Sequence, residues 1–496
     1  MTDIAIIGGG AAGAAVFGEL LQRDAGACVH WITGSHMVPG RGVAYATTNE
    51  SHLLNVRAAG MGLFTDERED FVQYAGARLG AVRGADFLPR GLFGDFIEAQ
   101  VHARTAVARQ RRQSFALHAD DAVRIEAPGA GGYIVRLAGG MPIRADAVVL
   151  AMGSLSQRPL KTVTRAALSG GCYELDPWRL AVRACAPRRV LVIGTGLTAV
   201  DTLLSASMQW PQAELVAVSR HGQFPFAHPV LPPAPYAFQP DLNQSLLDCA
   251  GLPAMLRRVR EAISLHAGDW RAIVDGMRPV NAALWQQLDP AQRRQFLRHL
   301  RWIWEAARHR SAPAVAEALG QLREDGRLQV HAARVLKVDA ADVDGHAPLE
   351  VTVRSRGRQL VSTLEADLVI QATGLDTATA YAADPLLASL LGDGLATADP
   401  LQLGLLSCPG GQLLDAHGVP QPGLFALGSL LRGSLWECTA MPEIRVAAHQ
   451  LARRLTAGDP ADAPPHGRGA ALTRMAEGTR HMHMPTRPFP RGERVP

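Results

Sequence analysis

Two copies of one short pattern constrain the fold of this chain more than any other feature of its sequence. The first copy begins with the apolar run Asp3–Ile7, and the glycine-rich segment Gly8–Gly13 follows it without a gap. The second begins with Arg189–Ile193, and Gly194–Ala199 follows in the same way. A short continuous apolar run is typical of a buried parallel strand. The sequence therefore predicts two strand–turn–helix units of the kind that binds dinucleotides.

The positions within these turns have distinct predicted roles. The first glycine permits a tight turn, the second lets the backbone approach a pyrophosphate, and the third position allows the helix to pack closely on the strand. Free N–H groups and the positive dipole end of the helix then attract the phosphates. For either turn alone, an ordinary tight turn between strand and helix is the alternative interpretation. The expected binding residues are Gly8, Gly10, Ala11, Ala12 and Gly13 in the first turn, and Gly194, Gly196, Leu197, Thr198 and Ala199 in the second.

The acidic residue that usually binds the ribose hydroxyls, about 20 residues after the turn, is missing from both units. In the first unit that place holds Thr33 and Gly34, so we expect Thr33, Ser35 or backbone groups to contact the ribose. In the second unit it holds Ser219 and Arg220. Arginine forms a charged fork with a 2′-phosphate, whereas a carboxylate repels it. The second unit is therefore predicted to prefer NADPH through Arg220, unless this arginine is only a solvated charge at a strand end.

A second duplicated frame, A-D-x-V-x-x-A-x-G, occurs at Ala145–Gly153 and at Ala366–Gly374. Alternating hairpin patterns precede both copies, over 133–144 and 349–363. Each frame predicts a strand that returns to the sheet and closes one nucleotide-binding unit. The predicted fold class is therefore α/β, with two Rossmann-like dinucleotide-binding domains, β-meander elements and a helical insertion. Three further binding residues are expected at the ends of these strands: Gly153, Thr373 and Gly374.

The order of the patterns predicts that the second domain is inserted into the first. The expected parts are the first part of one nucleotide-binding domain, the inserted domain and the return part, at 1–158, 159–375 and 376–457. The inserted domain contains a mostly helical segment, 241–325. Within it, Asp289–Gln292 is typical of a capped helix start with proline at the first helical position. Phe296, Leu300, Ile303 and Ala307 are then expected on one helix face. Residues 458–496, rich in Pro, Arg, Gly and His, are predicted to be disordered.

Charge and composition exclude several functional classes. The net charge of +4 comes from 50 basic and 46 acidic residues, a balance that argues against a nucleic-acid partner. No apolar run approaches the ~20 residues that span a bilayer, and the N-terminus lacks the features of a signal peptide. The six cysteines contain no CxxC pair, which argues against a disulfide framework, a zinc site and a dithiol redox centre. We therefore expect a cytoplasmic protein without a metal site.

Beyond these patterns, the chain resembles a bacterial family of FAD/NAD(P)-binding oxidoreductases. These are flavoproteins with two dinucleotide-binding domains, distantly akin to class B flavin monooxygenases and N-hydroxylating monooxygenases. The resemblance implies that the first turn binds FAD and the second binds NADPH. It also implies that Gly428 and Ser429 contact FAD, where many relatives carry Gly-Asp. It runs from about residue 3 to 455 and rests on the motifs Gly40–Tyr45, His52–Val56, Pro89–Gly94, Arg308–Pro313, Pro422–Ser429 and Leu435–Arg445.

Two such nucleotides in one chain imply hydride transfer from NADPH to the flavin. The favoured hypothesis is a monooxygenase that forms a C4a-hydroperoxyflavin and uses molecular oxygen to oxygenate a small molecule. One alternative is an FAD-dependent NAD(P)H reductase that passes electrons to an organic acceptor. The other is a flavin-binding electron-transfer scaffold without turnover of its own. The substrate and the oligomeric state stay open.

Three residues are candidates for a position beside the flavin. Asn55 lies in an apolar segment, where a buried amide needs a partner, either flavin or the backbone. Trp436 is expected to stack near the flavin ring or to fill the core. Glu437 is a catalytic candidate, or else the partner of Arg432 or Arg445 in a structural ion pair. Two arginines are candidates for contacts with the FAD phosphates: Arg41 and Arg57.

Overall fold

The strands form two large sheets and one small antiparallel sheet. The structure is a computed structural model, and it describes residues 3–23, 26, 28–129, 131–182, 186–266, 269–340, 348–358, 360–381 and 383–456. The segment that was predicted to be disordered, 458–496, lies outside the described residues.

The strands are numbered along the chain. They are β1 Asp3–Ile7, β2 Cys28–Ile32, β3 Phe115–His118, β4 Ala122–Glu126, β5 Tyr133–Leu137, β6 Ile143–Ala145, β7 Ala147–Leu150, β8 Tyr173–Glu174, β9 Arg189–Ile193, β10 Glu214–Ser219, β11 Leu328–Ala340, β12 Leu349–Ser355, β13 Val361–Ala366, β14 Leu368–Gln371, β15 Gln412–Leu414 and β16 Pro420–Ala426.

The α-helices are numbered in the same way. They are α1 Ala11–Arg23, α2 Asp70–Leu79, α3 Arg90–Gln110, α4 Arg165–Ser169, α5 Leu197–Gln209, α6 Gln239–Leu247, α7 Leu252–Leu265, α8 Trp270–Gly276, α9 Asn281–Gln287, α10 Pro290–His299, α11 Arg301–Arg308, α12 Pro313–Glu324, α13 Pro385–Gly392, α14 Arg432–Leu435 and α15 Met441–Thr456. Short 3-10 turns occur at Ala58–Gly60, Arg179–Val182, Arg278–Val280, Thr379–Tyr381 and Gly428–Leu431.

The first sheet has the strand order β15-β16-β7-β1-β2-β3. All of its pairings are parallel except that of β15 with β16. Helices α1, α3 and α15 pack together on one face, because α1 is apolar and is buried around Val16 and Phe17. The meander β4-β5-β6 and helix α13 cover the other face. The predicted return strand is β7, which joins this sheet as expected and lies between β1 and β16.

The second sheet has the order β13-β12-β11-β10-β9-β14-β8. The five strands β11-β10-β9-β14-β8 are parallel, and the hairpin β12-β13 adds two antiparallel strands at the edge beside β11. Helices α5 and α12 cover one face. The strand β14 returns beside β9, as the duplicated frame predicted. The expected α/β class with two Rossmann-like units and meander elements is therefore confirmed.

Helices α6 to α11 lie between β10 and β11 in sequence, within the second sheet's part of the chain, and build a separate core. The predicted cap at Asp289 is present as a full capping box with Gln292. The single helix predicted after it is wrong, because α10 ends at His299 and α11 begins at Arg301. The break turns Ile303 toward solvent, where its residue is 40% exposed, while Phe296 and Trp304 both pack in the helical core.

The chain passes from the first sheet to the second and later returns, and these two connecting segments lie beside each other. Leu155 and Asp376 form an antiparallel bridge, and Arg158 Nε donates to a carboxylate oxygen of Asp376 at 2.7 Å. These connecting segments coincide with the predicted boundaries at 158/159 and 375/376. The boundaries themselves stay a prediction, because the described residues between 3 and 456 belong to one compact unit.

Candidate functional site

Both glycine-rich turns occupy the same place in their sheets. Gly8 has φ +127°, and a Cβ added to it would lie 2.2 Å from the carbonyl oxygen of Ala151. Gly194 has φ +138°, and its Cβ would lie 2.2 Å from the carbonyl oxygen of Ala372. No side chain fits at either position, because the strand end beside it is already in contact. Ala151 and Ala372 are the same position of the duplicated A-D-x-V-x-x-A-x-G frame, which explains why the two patterns recur together.

The second glycine of each fingerprint, in contrast, faces open space. An added Cβ at Gly10 has its nearest neighbour, the Cα of Gly42, at 3.8 Å, and one at Gly196 has none within 4 Å. The first helical hydrogen bonds run from Ala14 N–H to Gly10 O and from Val200 N–H to Gly196 O, each at 3.0 Å. The N–H groups before them lack a helical acceptor. Each turn is therefore an open cradle that fits a pyrophosphate.

Two segments that return to the first sheet lie beside the first cradle. Gly428 has φ +80°, and a Cβ added to it would lie 4.0 Å from the Cβ of Ala12. The Ser429 hydroxyl donates a hydrogen bond to the carbonyl oxygen of Gly153. The structure thus brings Gly153, Gly428 and Ser429 to the start of α1. The hydrogen of Ser429 is already used by Gly153, so its hydroxyl offers a ligand an acceptor rather than a donor.

A carboxylate that sequence reasoning missed lies beside the tip of β2. Thr33 is buried, and its hydroxyl donates to the carbonyl oxygen of His118 at 3.3 Å. Ser35 donates its hydroxyl to Asp121 at 2.5 Å and its N–H to the same side chain at 3.3 Å. Asp121 follows β3, and the carboxyl ends of parallel neighbours such as β2 and β3 meet at one edge. This rule on strand ends could have identified the acidic group from the sequence, although Asp121 lies 86 residues from Ser35.

The two arginines expected to contact FAD phosphates have protein partners instead. Arg41 donates to the carboxylates of Asp95 and Glu98, with the Nε–Glu98 distance at 2.9 Å. Arg57 donates to the carbonyl oxygens of Ala85, at 2.6 Å, and Pro229, at 2.7 Å. Because these acceptors occupy the guanidinium forks, the geometry does not favour the phosphate role of Arg41 or Arg57.

Around the second cradle, Ser219 organises the turn that follows β10. Its hydroxyl oxygen accepts from Thr195 Oγ1 at 2.9 Å and from Gly222 N–H at 3.0 Å. Arg220 is exposed and forms no ion pair with any residue that the structure describes. Thr373 is also exposed, and Gly374 has φ +86° with open space at its Cβ position. Ser219 is thus tied to the second turn through Thr195, and the contacts of Ser219, Arg220, Thr373 and Gly374 with a nucleotide stay a prediction.

Asn55 connects the first nucleotide-binding unit to the loop after β10. Its carbonyl oxygen accepts from His228 Nε2 at 3.0 Å, so the ring carries its proton on that nitrogen. Burial, reinforced by the charge of Arg310, lowers the pKa of His228 to about 4. The half-buried side-chain amide of Asn55 makes no hydrogen bond within the described part of the chain. The amide is thus available to a ligand.

Trp436 lies in the aromatic core of the helical segment. Its ring stacks on Trp285 with centroids 4.8 Å apart and meets the edge of Phe296 at 5.2 Å. The backbone has φ +59°, a region that a bulky residue rarely adopts. Its buried indole N–H has no hydrogen-bond partner among the described residues. Strain and an unsatisfied donor mark this residue as unusual, and contact with flavin stays a prediction.

Glu437 takes part in a buried network, with different partners from those expected. Its carboxylate accepts from Trp304 Nε1 at 2.9 Å and pairs with Arg308 at 3.4 Å and His309 at 3.6 Å. The expected pairing with Arg432 or Arg445 is wrong, because those arginines donate to Glu305 and to Gly62 O. Burial would raise the pKa of Glu437, but His309 and Arg308 outweigh it and lower the pKa. A carboxylate so fully engaged favours a structural role.

Two other features are absent from the described ranges. These ranges contain no cluster of His, Cys, Asp or Glu side chains suited to a metal ion. Among the same residues, no helix combines the length and apolar character that a membrane span requires. A cavity of about 520 Å³ lies beside His30 and His118, and no residue of either glycine-rich turn lines it. The open cradles at Gly10 and Gly196 are therefore the candidate site.

Several solved structures are similar to this chain in fold. The ornithine N-hydroxylase of Kutzneria sp. 744 has 14% identity and a TM-score of 0.61, with 92% of this chain and 99% of that one covered. The L-lysine 6-monooxygenase of Pseudomonas syringae has 17% identity, a TM-score of 0.61 and the same coverage. The FAD-bound cadaverine monooxygenase DfoA of Erwinia amylovora has 12% identity and a TM-score of 0.61, over 97% and 100% of the two chains.

Sequence comparison adds a match over the first nucleotide-binding unit. No curated protein matches the chain. Residues 5–155 match a family model described as FAD-NAD(P)-binding. That range contains the first cradle, Asn55 and Gly153. At the level of fold, the resemblance inferred from the motifs is thus confirmed, and this chain shares the architecture of the N-hydroxylating flavin monooxygenases.

Proposed function

We propose that this chain is an FAD-dependent, NADPH-using monooxygenase that acts on a small amine. One observation carries the proposal. A single compact unit contains two open cradles, at Gly10 and Gly196, each at the carboxyl end of its own parallel sheet. Ligands of open α/β sheets bind at that end of the strands. Two dinucleotides in one chain serve electron transfer between a nicotinamide and a flavin.

FAD is assigned to the first cradle. The N–H groups at the start of α1, at Ala11 and Ala12, bind its pyrophosphate, because they lack helical acceptors and lie at the positive end of the helix dipole. Gly428 borders the same space. The adenosine ribose is assigned to Asp121, which Ser35 holds beside the tip of β2. This carboxylate supplies the charged acceptor that Thr33 lacks.

NADPH is assigned to the second cradle. The N–H groups of Leu197 and Thr198 bind its pyrophosphate, for the same physical reason as in the first cradle. Gly196 is the cap residue of α5, and no side chain caps the helix, so an anion is free to approach. Arg220 binds the 2′-phosphate through its guanidinium fork. Ser219 and Gly374 flank this space, and Thr373 lies at its exposed edge.

When bound, FAD supplies hydride acceptance from the nicotinamide and activation of molecular oxygen. The chain itself positions the two nucleotides and keeps water away. Asn55 offers its free amide to the flavin side of the site. The aromatic core around Trp436 and Trp285 excludes water from the adjoining space. No nucleophilic side chain is required for this chemistry.

An amine substrate is supported by the shared fold. The printed names of the similar structures include an ornithine N-hydroxylase, an L-lysine 6-monooxygenase and a cadaverine monooxygenase. Each of these molecules carries a primary amine on an unbranched alkyl chain. A free amine is a nucleophile, and transfer of one oxygen atom to it needs no acid or base of the protein beyond proton exchange.

The test is an anaerobic titration of the purified FAD-containing protein with NADPH, followed by admission of air with L-ornithine, L-lysine or cadaverine. We expect bleaching of the flavin, re-oxidation in air and a product heavier than the amine by one oxygen atom. Peroxide released in full with every amine, together with fast anaerobic turnover of a quinone, would instead favour a reductase. A protein that takes up no FAD would contradict the assignment altogether.

A matched variant separates the two cradles in this test. Gly196→Ala places a Cβ where no atom lies within 4 Å, so the fold is retained. We expect this variant to stay yellow and to require far more NADPH for bleaching, because the methyl group obstructs the pyrophosphate. Unchanged bleaching would contradict the assignment of NADPH to this cradle.

A further inference from the structure

A second arginine lies near Arg220 and was not predicted from the sequence. Ser219 is paired in register with Ala332 on the next strand. Gly222, in the turn after β10, packs so closely that an added Cβ would lie 3.1 Å from the Cβ of Ala332. The carbonyl oxygen of Ala332 accepts the N–H of Arg356 at 2.8 Å. The hairpin residue Arg356 and the turn that carries Arg220 are thus anchored on one residue.

An aromatic side chain from the helical segment joins this group. The ring of His221 stacks on Trp302 with centroids 4.4 Å apart and planes 7° from parallel. The guanidinium carbon of Arg356 lies 5.7 Å from the centroid of the same indole. Trp302 is itself fixed by its N–H, which donates to the carbonyl oxygen of His299 at 3.0 Å. Helix α11 therefore holds His221 and Arg356 against one rigid surface.

The group carries positive charge without a compensating carboxylate. Arg220 and Arg356 are exposed, and neither forms an ion pair with a described residue. Burial lowers the pKa of His221, and the charges of Arg356 and Arg220 lower it further. His221 is accordingly neutral at physiological pH. The two guanidinium groups remain, next to the strand end where the ribose of the second nucleotide is assigned.

This arrangement suits a dianion better than a hydroxyl. A phosphate monoester carries a charge of about −1.5 to −2 near pH 7 and three acceptor oxygens, which one guanidinium fork does not satisfy. We propose that Arg356 and Arg220 together clamp the 2′-phosphate of NADPH, with Trp302 as the surface that positions Arg356. This inference rests on the proposed use of NADPH. It gives the helical segment a part in cofactor choice, through α11.

The test measures binding rather than turnover. Isothermal titration of the FAD-containing full chain with NADP⁺ and with NAD⁺ gives a dissociation constant for each nucleotide. We expect Arg356→Ala and Arg220→Ala each to weaken NADP⁺ binding by about tenfold or more, as for a hydrogen bond between charged groups. NAD⁺ binding is expected to change by less than about twofold, because NAD⁺ has no 2′-phosphate. Arg356→Lys, which keeps the charge, is expected to recover part of the loss.

Arg358→Ala is the matched control, since it removes the same charge from the same exposed hairpin turn. We expect it to leave both dissociation constants unchanged. An Arg356→Ala protein that binds NADP⁺ as tightly as the parent, while Arg220→Ala does not, would overturn the two-arginine clamp and leave the proposed function standing. Equal weakening by Arg356→Ala and Arg358→Ala would show that loss of positive charge on the hairpin turn explains the effect, and would overturn a specific contact by Arg356. A parent protein that binds neither nucleotide would refute the proposed function itself.

Discussion

Replacing Arg90 by methionine should destabilise the chain well beyond an ordinary surface change. Arg90 begins α3 in the first nucleotide-binding unit, and its guanidinium lies 3.0 Å from the carboxylate of Asp201 on α5. Their side chains are 12% and 4% exposed. The contact has ion-pair distance but not hydrogen-bond geometry, since this oxygen of Asp201 has no hydrogen-bond partner. His52 adds a 2.8 Å hydrogen bond to Ser205, one turn further along α5.

The expected loss of stability follows from leaving the buried carboxylate of Asp201 without its charged partner. Breaking a buried ion pair by removing one partner costs about 3–5 kcal/mol. With an unfolding entropy near 2.1 cal/mol/K per residue, a chain of 496 residues changes stability by about 1 kcal/mol per degree at its melting point. Arg90→Met should therefore lower Tm by about 3–5 °C. The measurement is thermal unfolding followed by circular dichroism at pH 8.

The pH dependence of this loss has a definite sign. Burial raises the pKa of Asp201, while Arg90 and His52 oppose the shift. A carboxyl group whose folded pKa is raised loses its contribution to stability as the pH rises through that pKa. Removal of Arg90 raises the pKa of Asp201 further. The difference in Tm between Arg90→Met and the parent should therefore shrink as the pH is lowered from 8, because protonation of Asp201 removes the unpaired charge at a higher pH in the variant than in the parent.

Two further variants make the test decisive. Arg83→Met breaks an exposed pair with Asp86 and should change stability by less than about 1 kcal/mol, because the Arg83 side chain is 84% exposed. Arg90→Met combined with Asp201→Asn removes both buried charges and should recover most of the lost stability. A loss for Arg90→Met no larger than that for Arg83→Met, or a double variant as unstable as the two single losses together, would refute the reasoning.

Three more outcomes are expected. Gly10→Ala should fold normally but bind FAD weakly. Gly8→Ala should fold poorly, because its Cβ would meet the carbonyl oxygen of Ala151. Measurements of flavin content and Tm together distinguish the two variants. Asp121→Asn should weaken FAD binding about tenfold while leaving FMN binding unchanged, since FMN lacks the adenosine ribose; equal effects on both would remove the ribose assignment. The pKa of His228 is lowered to about 4 in the folded protein, so between pH 6.5 and 4 the unfolded chain binds a proton that the folded chain does not. The free energy of unfolding should therefore fall as the pH is lowered through that range, by at most about 3 kcal/mol. The fall should be shallower in His228→Gln.

Local sequence predicted the elements that a few adjacent residues specify. The bounds of β1 and β9 follow from short apolar runs, and the start of α10 follows from the capping box at Asp289. The helix break after His299 was not predictable in this way. It depends on Phe296 and Trp304 both packing in a core that includes Trp436, more than a hundred residues later in the chain.

In the candidate site as well, local features were predicted and contacts between distant elements were not. The cradle residues Gly10 and Gly196 were predicted, because a turn needs its glycines at fixed spacing. The partners of Glu437 were predicted wrongly, since an ion pair in a folded protein depends on which helices meet. Arg41 and Arg57 were matched to phosphates by charge alone, and the structure gives them carboxylate and carbonyl partners.

By itself, the sequence determined the two strand–turn–helix units, their order and the duplicated return strands, because those features depend on backbone conformation and on apolar runs within a few residues. Only the tertiary structure decided which distant side chains meet. It placed Asp121 beside Ser35, Arg356 beside Trp302 and Arg90 against Asp201. Each of these pairs joins separate elements, and a contact between distant parts of the chain is fixed by packing rather than by any local pattern.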